Sequence, residues 1–114
     1  MTISNTIRKN RFSAFNRQGE RCYYCDGPMW LDDKEAFAAR FSLSPAEASA
    51  FRCTAEHIKP KSEGGTNERA NIVAACEFCN LIRHQFVPAR PSVRHRQQVR
   101  RLVRHYGLVH RLST

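Results

Sequence analysis

Two pairs of closely spaced cysteines constrain this chain more than any other feature of its sequence. The first pair is Cys22 and Cys25 in the run Cys-Tyr-Tyr-Cys, and the second is Cys76 and Cys79 in Cys-Glu-Phe-Cys. Two such pairs supply four thiolates, which is the ligand set of a tetrahedral structural Zn²⁺ site. One pair alone would equally suit a thiol redox centre, but two pairs in 114 residues favour zinc. We therefore expect one zinc ion to join two distant parts of the chain.

The polar N-terminal segment and the lack of long apolar runs indicate the cellular compartment, which in turn bears on the state of the fifth cysteine. Residues 1–11 are polar and basic, and the sequence contains no apolar run long enough for a membrane span. We expect a soluble cytoplasmic protein without a membrane partner, in which thiols stay reduced. Cys53 is then predicted to be a small buried residue on a strand.

The charge of the chain is strongly basic and unevenly placed. Lys and Arg number 19 against 10 Asp and Glu, which gives a net charge of +9. The last acidic residue is Glu77, and the segment 80–114 carries eight arginines without a carboxylate. This pattern favours a polyanionic partner, above all nucleic acid, over a membrane or an acidic small molecule. A basic surface that only aids solubility would have the same composition, so that alternative stays open.

Length and pattern predict a single α+β domain over residues 1–114. We divide it into a basic N-terminal helix within 1–20, a core over 21–86 with a helical insertion at 32–51, and a basic C-terminal helix over 91–112. Within these bounds the capping residues, apolar spacing, glycines and prolines predict the following elements: a helix at 5–17, a strand at 21–24, strands at 51–58 and 71–75 around a loop at 59–68, a helix from the second cysteine pair up to Pro88, and a helix at 92–106 ended by Gly107.

Two helix signals are specific. Ser44, Pro45 and Glu47 combine a capping serine, a proline at the first helical position and a glutamate three residues after the cap. In the last helix an apolar stripe lies opposite a basic one. The apolar stripe is Val99, Leu102, Val103 and Tyr106, and the basic stripe is Arg96, Arg100 and Arg104.

A carboxylate beside a histidine at a predicted strand end is the combination that carries chemistry. Glu56 offers an oxygen ligand for a divalent cation, and His57 offers an imidazole, the side chain most often used as a general base. If Asn80, one turn into the following helix, faces the same point, the cation has two protein oxygens and open positions. Such a site would polarise a phosphodiester while the imidazole takes a proton from the attacking water.

With these residues in these positions, the sequence resembles the HNH endonucleases and their ββα-metal fold. The signature positions are His57, Asn71 and Asn80, bracketed by the two cysteine pairs. The resemblance implies that His57 is the general base and that Asn71 holds the loop by side-chain hydrogen bonds to the backbone. It also implies that Glu56 and Asn80 bind the catalytic cation. The four paired cysteines would bind a separate structural zinc, and the gene would be bacterial or phage-encoded.

Two departures from the commonest family pattern affect the expected metal. Many members have histidine where this chain has Asn80, and lysine where it has Arg83. An oxygen-only ligand set favours Mg²⁺ or Mn²⁺. His84 lies four residues after Asn80 on the same helix face, so it is an additional candidate ligand that would admit Ni²⁺, Co²⁺ or Zn²⁺.

The predicted activity is hydrolysis of DNA, most simply double-stranded, by a monomer or a homodimer. Two other functions stay open: a non-catalytic zinc module that binds nucleic acid, and a thiol redox protein. The residues that we expect to contact nucleic acid are Lys59, Lys61, Arg83, Arg96, Arg100 and Arg104.

Overall fold

A computed structural model describes residues 4–106 of the chain, with the backbone alone described at residues 105 and 106. Two short 3₁₀ turns, Lys61–Glu63 and Arg69–Asn71, lie in the loop between the two strands. The arrangement is a small α+β fold, which confirms the predicted fold class. In chain order the helices and strands are α1 (Asn5–Arg17), α2 (Lys34–Phe41), α3 (Pro45–Ser49), β1 (Cys53–His57), β2 (Ile72–Cys76), α4 (Glu77–His84) and α5 (Ser92–Tyr106).

The two strands form an antiparallel sheet that leads directly into α4. Cys53 pairs with Cys76 at one end of the sheet, and His57 pairs with Ile72 at the other. Every residue of β2 is buried, because α1 and α4 both pack against the sheet. Since α4 begins at the residue after Cys76, the sheet register fixes where the helix starts. Strand, strand and helix thus form the expected ββα unit.

The predicted helix bounds hold for α1 and for the helical insertion. α1 begins after Ser4, whose hydroxyl accepts a hydrogen bond from Ile7 N, and it ends two residues before Gly19, which has a φ of +65°. In the insertion, Ser44 and Glu47 form both hydrogen bonds of a capping box at the start of α3. α2 starts separately, capped by Asp33.

The prediction of a strand at residues 21–24 is wrong. Arg21 makes only an isolated bridge with Pro28, and the chain between them is a tight turn. Two backbone hydrogen bonds close this turn, from Cys22 N to Gly27 O and from Asp26 N to Cys22 O. Asp26 adopts a left-handed φ of +62°, so the chain reverses here, and the turn brings the Cys22 and Cys25 thiols to the same point.

The helix after the second cysteine pair is shorter than predicted. α4 ends at His84, four residues before Pro88.

α5 turns a different face towards the core than the sequence predicted. The predicted end of α5 at Gly107 lies outside the described residues. Leu102 is 55% exposed, which contradicts its place in the apolar stripe, while Val99 and Val103 do pack against the core. The inward face is completed by two buried polar residues, Ser92 and His95.

Among residues 4–106, no helix combines the length and the hydrophobicity that crossing a bilayer requires.

Candidate active site

The four paired cysteines form a buried cluster. Their Sγ atoms all lie within 4.8 Å of one another, and the Sγ atoms of Cys25 and Cys76 are 3.9 Å apart. Four thiolates on one tetrahedral Zn²⁺, with Zn–S bonds of about 2.3 Å, place their sulfur atoms about 3.8 Å apart. No disulfide joins any of the cysteines. The cluster therefore fits a metal ion such as zinc.

Backbone donors point into this cluster and stabilise negative sulfur. Tyr24 N and Cys76 N each donate to Cys22 Sγ over 3.3 Å, and Gly27 N donates to Cys25 Sγ over 3.4 Å. Burial works against the Cys22 thiolate, but hydrogen bonds from the neighbouring thiols outweigh it and lower the pKa of Cys22. Cysteines bind metal as thiolates, so these donors prepare the cluster for a cation.

Cys53 stands apart from this cluster. It lies on β1 with 1% of its surface exposed, and burial raises the pKa of its thiol to about 12. A neutral buried thiol is neither a good nucleophile nor a metal ligand. The prediction that Cys53 is a small buried residue on a strand is confirmed.

A second, open site lies where β1 ends beside α4. It is a cavity of about 270 Å³, and residues at the start of the loop after β1 also line it. Glu56, His57, Asn80 and His84, which the sequence predicts to act together, all line it. Asn71, Lys59 and Arg83 do not. The full lining is Ala55, Glu56, His57, Pro60, Lys61, Ser62, Asn80 and His84.

Glu56 is almost completely buried, with 2% of its surface exposed, and both of its oxygens have partners. Oε2 accepts hydrogen bonds from the Tyr24 hydroxyl over 2.9 Å and from Arg83 Nη1 over 3.1 Å. Oε1 lies 3.0 Å from His84 Nε2. A buried carboxylate needs such compensation. Only Oε1 borders a group that is itself partly exposed, because His84 is 39% exposed.

Asn80 and His84 lie one turn apart on the side of α4 that lines the cavity. The amide nitrogen of Asn80 donates to Thr54 Oγ1 over 2.9 Å. This bond fixes the orientation of the amide and leaves the carbonyl oxygen as the side-chain atom that could accept a cation. α4 thus brings one oxygen donor and one nitrogen donor to the cavity that Glu56 also lines.

His57 contacts an asparagine that the sequence analysis passed over. Its Nε2 atom lies 2.8 Å from Asn67 Oδ1. Asn67 lies in the loop between Gly64–Gly65 and β2 and is held there by α1, since Asn10 Nδ2 donates to Asn67 O over 2.7 Å.

The side chain of Asn71 makes three hydrogen bonds to the backbone of the same loop. Its Oδ1 accepts from Lys59 N over 2.8 Å, and its Nδ2 donates to Lys59 O over 3.0 Å and to Thr66 O over 2.8 Å. The loop closes so tightly that a Cβ atom at Gly65 would lie 1.8 Å from Lys59 O. Only glycine fits at that position.

The structure contradicts the expectation that Arg83 contacts nucleic acid. Its side chain is 1% exposed, and every guanidinium nitrogen donates to a protein acceptor. Besides Glu56 and Tyr24, these acceptors are the carbonyl oxygens of His57, Ile58 and Arg90. Arg83 therefore joins α4 to the end of β1 and cannot reach a phosphate.

The predicted basic stripe of α5 is also only partly exposed. Arg100 donates from Nε to Tyr24 O over 3.0 Å and from Nη2 to Tyr23 O over 3.2 Å, and the Arg96 guanidinium stacks 4.6 Å from the centre of the Tyr23 ring. Both therefore pack on the turn that carries Cys22 and Cys25, the first cysteine turn, whereas Arg104 is exposed. The arginines of α5 that face solvent are Arg94, Arg101 and Arg104. Of the predicted lysine contacts, Lys59 and Lys61 are both exposed.

His95, to which the sequence assigned no role, lies on the inward face of α5 and is fully buried there. Its Nε2 lies 3.0 Å from Cys79 O, so it donates to that carbonyl, and its Nδ1 accepts from Arg90 Nη2 over 2.7 Å. Burial lowers the pKa of His95, and the imidazole is neutral. No sequence signal distinguishes it from the exposed polar residues of the same helix.

Comparison with known proteins bears on the segment that forms this cavity. Residues 45–86 match the family model described as HNH endonuclease. That segment contains β1, β2, α4 and the second cysteine pair, and for it the resemblance is confirmed. HNH proteins are in general nucleases that act on nucleic acids and use divalent cations. No curated protein and no solved structure matches the chain.

Proposed function

We propose that this protein is a metal-dependent endonuclease that hydrolyses the phosphodiester bonds of DNA. One observation carries the proposal: Glu56, His57 and Asn80 line a single open cavity within the segment that matches the HNH endonuclease model. A protein that only binds nucleic acid needs no acid, base and amide in one cavity.

Glu56 and Asn80 are the proposed ligands of the divalent cation, with His84 as a third. Arg83 and Tyr24 occupy Oε2 of Glu56, so the carboxylate offers Oε1 alone. The 3.0 Å between Oε1 and His84 Nε2 supports joint ligation, since neighbouring ligands of an octahedral cation at about 2.1 Å stand about 3.0 Å apart. The oxygens suit Mg²⁺ or Mn²⁺, and the imidazole adds affinity for Ni²⁺, Co²⁺ or Zn²⁺.

His57 is the proposed general base. A bound cation would stabilise the negative charge that develops on the phosphate. His57 takes the proton from the attacking water, and the Asn71 bonds to the loop backbone keep the end of β1 in place. Lys61, exposed at the rim of the same cavity, would contact the phosphate.

The proposed nucleic-acid surface of α5 differs from the one expected from sequence. Arg94, Arg101 and Arg104 are exposed, whereas Arg96 and Arg100 pack on the first cysteine turn. Phosphate contacts from such a surface position a duplex without reading its sequence. This suits double-stranded DNA as the substrate.

Zinc is the proposed occupant of the cysteine cluster, with a structural role. The cluster is fully buried and consists only of sulfur ligands, so it has no open position for substrate. The catalytic cation and the zinc are therefore two separate ions.

The test is cleavage of supercoiled plasmid DNA by the full chain in the presence of Mg²⁺, Mn²⁺, Ni²⁺, Co²⁺ or Zn²⁺. We expect nicked or linear product with at least one cation, and none with EDTA. A His57→Ala variant purified in the same way is the control for contaminating nuclease. If the wild-type protein binds DNA but cleaves it with none of these cations, it is a non-catalytic zinc module and the proposal is wrong.

A further inference from the structure

The contact between His57 and Asn67 determines which imidazole nitrogen carries the proton. A neutral imidazole has one nitrogen that donates and one that accepts. The atom of Asn67 that faces His57 Nε2 at 2.8 Å is the carbonyl oxygen Oδ1, which can only accept. Nε2 must therefore carry the hydrogen, and the lone pair lies on Nδ1.

We propose that Asn67 is a positioning residue that holds His57 in the Nε2–H tautomer and aims its Nδ1 atom for proton transfer. The inference deepens the proposed function and depends on it for its catalytic meaning. The tautomer assignment rests on one contact, in which the amide oxygen of Asn67 faces His57 Nε2. Asn67 does not line the cavity, so it acts through His57.

The loop that carries Asn67 is anchored from two sides, which makes its side chain a fixed partner. Asn71 Nδ2 donates to Thr66 O over 2.8 Å, and Asn10 Nδ2 donates to Asn67 O over 2.7 Å. Asn67 is itself half-buried. The bond from Asn10 makes the N-terminal helix α1 part of the support of the active site, although α1 lies outside the family match.

Asn67 and Asn71 have different roles that variants can separate. The Asn71 side chain bonds to backbone atoms of Lys59 and Thr66, so its loss loosens the loop as a whole. The Asn67 side chain bonds to the imidazole itself. Replacing Asn67 by leucine removes the acceptor at similar size, and replacing it by aspartate keeps an oxygen acceptor.

The decisive experiment is ¹⁵N NMR of the zinc-loaded full chain without a catalytic cation, at a pH where the imidazole is neutral. Long-range ¹H–¹⁵N couplings identify the protonated nitrogen, and the spectrum of His57→Gln assigns the signal. We expect Nε2–H in the wild type and in Asn67→Asp, and a mixture of tautomers in Asn67→Leu. A wild-type His57 that is protonated on Nδ1 would overturn the proposal, whether or not the protein cleaves DNA.

Cleavage kinetics supply the second readout. We expect Asn67→Leu to lower kcat about 10- to 100-fold, the range typical of losing the hydrogen-bond partner that orients a metal-ligating histidine, with KM nearly unchanged. Asn67→Asp should keep most of the wild-type kcat, because aspartate retains an oxygen acceptor. Asn10→Ala should have a smaller effect in the same direction, and Asn16→Ala, at an exposed position of α1, should have none.

Zinc content and melting temperature show whether each variant folds. An unchanged tautomer and an unchanged kcat in a folded Asn67→Leu would also overturn the role of Asn67. If Asn67→Leu does not fold, the tautomers of the wild type and Asn67→Asp decide. A wild type without nuclease activity but with Nε2–H on His57 would instead refute the proposed function and leave the hydrogen-bond assignment standing.

Discussion

The two candidate metal sites of this protein differ in the burial of their candidate ligands and in the partners that those ligands contact. In the cysteine cluster all four ligands are buried sulfur atoms that face one another. In the cavity, Glu56, Asn80 and His84 are each hydrogen-bonded to another protein group, and two of them are not buried, since Asn80 is half-buried and His84 is exposed. The first arrangement is closed and suits a permanent ion. The second is open and suits an ion that shares its coordination with substrate.

The closed site also positions the open one. Cys79 and Asn80 are neighbours on α4, so the cluster and the cavity use the same helix. Tyr24, between the first two cysteines, donates its hydroxyl to Glu56. Loss of the cluster should therefore disturb the cavity, whereas changes in the cavity should leave the cluster intact. The following predictions test this one-way dependence.

The largest effect is expected from Cys76→Ser. This change removes one thiolate of the cluster and weakens the join between β2 and the first cysteine turn. In a domain this small, binding of a structural metal supplies much of the folding free energy. We expect loss of tightly bound zinc and of cooperative thermal unfolding, measured by metal analysis and by circular dichroism.

Cys53→Ala is the matched control for the cluster. Cys53 is as buried as Cys76 but lies outside the cluster, so the variant should keep its zinc and lose only about 1 kcal/mol of stability, a typical cost for a point mutation. If Cys76→Ser keeps one zinc per chain and the wild-type melting temperature, the cluster is not a structural metal site.

The second prediction concerns the open site alone. His57→Ala should reduce cleavage by about 10²- to 10⁴-fold, the usual contribution of a general base. Because His57 lies at the end of β1, away from the cysteine cluster, zinc content and melting temperature should stay close to those of the wild type. Wild-type cleavage rates in this variant would remove His57 from the mechanism, and a loss of zinc would contradict the one-way dependence.

The closed site was predictable from the sequence because the chain itself sets the cysteine spacing. The same holds for the ββα order, since its turn and cap signals are local. Even so, the strand expected at residues 21–24 proved to be a turn, which two backbone hydrogen bonds and the left-handed φ of Asp26 close. The functional roles of His57, Glu56, Asn71 and Asn80 stay predictions.

The open site was less predictable because its supports come from distant parts of the chain. Arg83 looked like a phosphate contact, yet the approach of α4 to β1 places it beside a buried carboxylate. Asn67 depends on a bond from α1. In α5, the hydropathy pattern could not show that the polar residues Ser92 and His95 face inward, which turns Leu102 outward. These contacts depend on how distant elements pack together, and the spacing of residues along the chain does not reveal them.

The third prediction tests whether His84 is a ligand of the open site. His84→Gln removes the imidazole but keeps a polar side chain of similar length. We expect the apparent affinity for Ni²⁺ or Co²⁺ in cleavage to fall by about 10- to 100-fold, and that for Mg²⁺ to fall less, because nitrogen ligands favour the later transition metals. The measurement is cleavage rate against metal concentration. Equal effects on all the cations would mean that His84 only balances the charge of Glu56.

The smallest effect is expected on α5, where two sets of arginines lie in different surroundings. Replacing Arg94, Arg101 and Arg104 by glutamine should weaken DNA binding for all sequences alike, since these side chains face solvent. Each phosphate contact contributes about 0.9 to the slope of log K against log salt, so the slope should fall in magnitude by about 2 to 3. Zinc content should not change.

The matched control is Arg100→Gln, because Arg100 donates two hydrogen bonds to the carbonyl oxygens of Tyr23 and Tyr24 beside the cysteine cluster. Its loss should lower the melting temperature and leave the salt slope nearly unchanged. The reverse result, a reduced slope for Arg100→Gln and an unchanged slope for the triple variant, would mean that DNA approaches the flank of α5 next to the first cysteine turn. The closed site would then contact the substrate directly, and its separation from the open site would not hold.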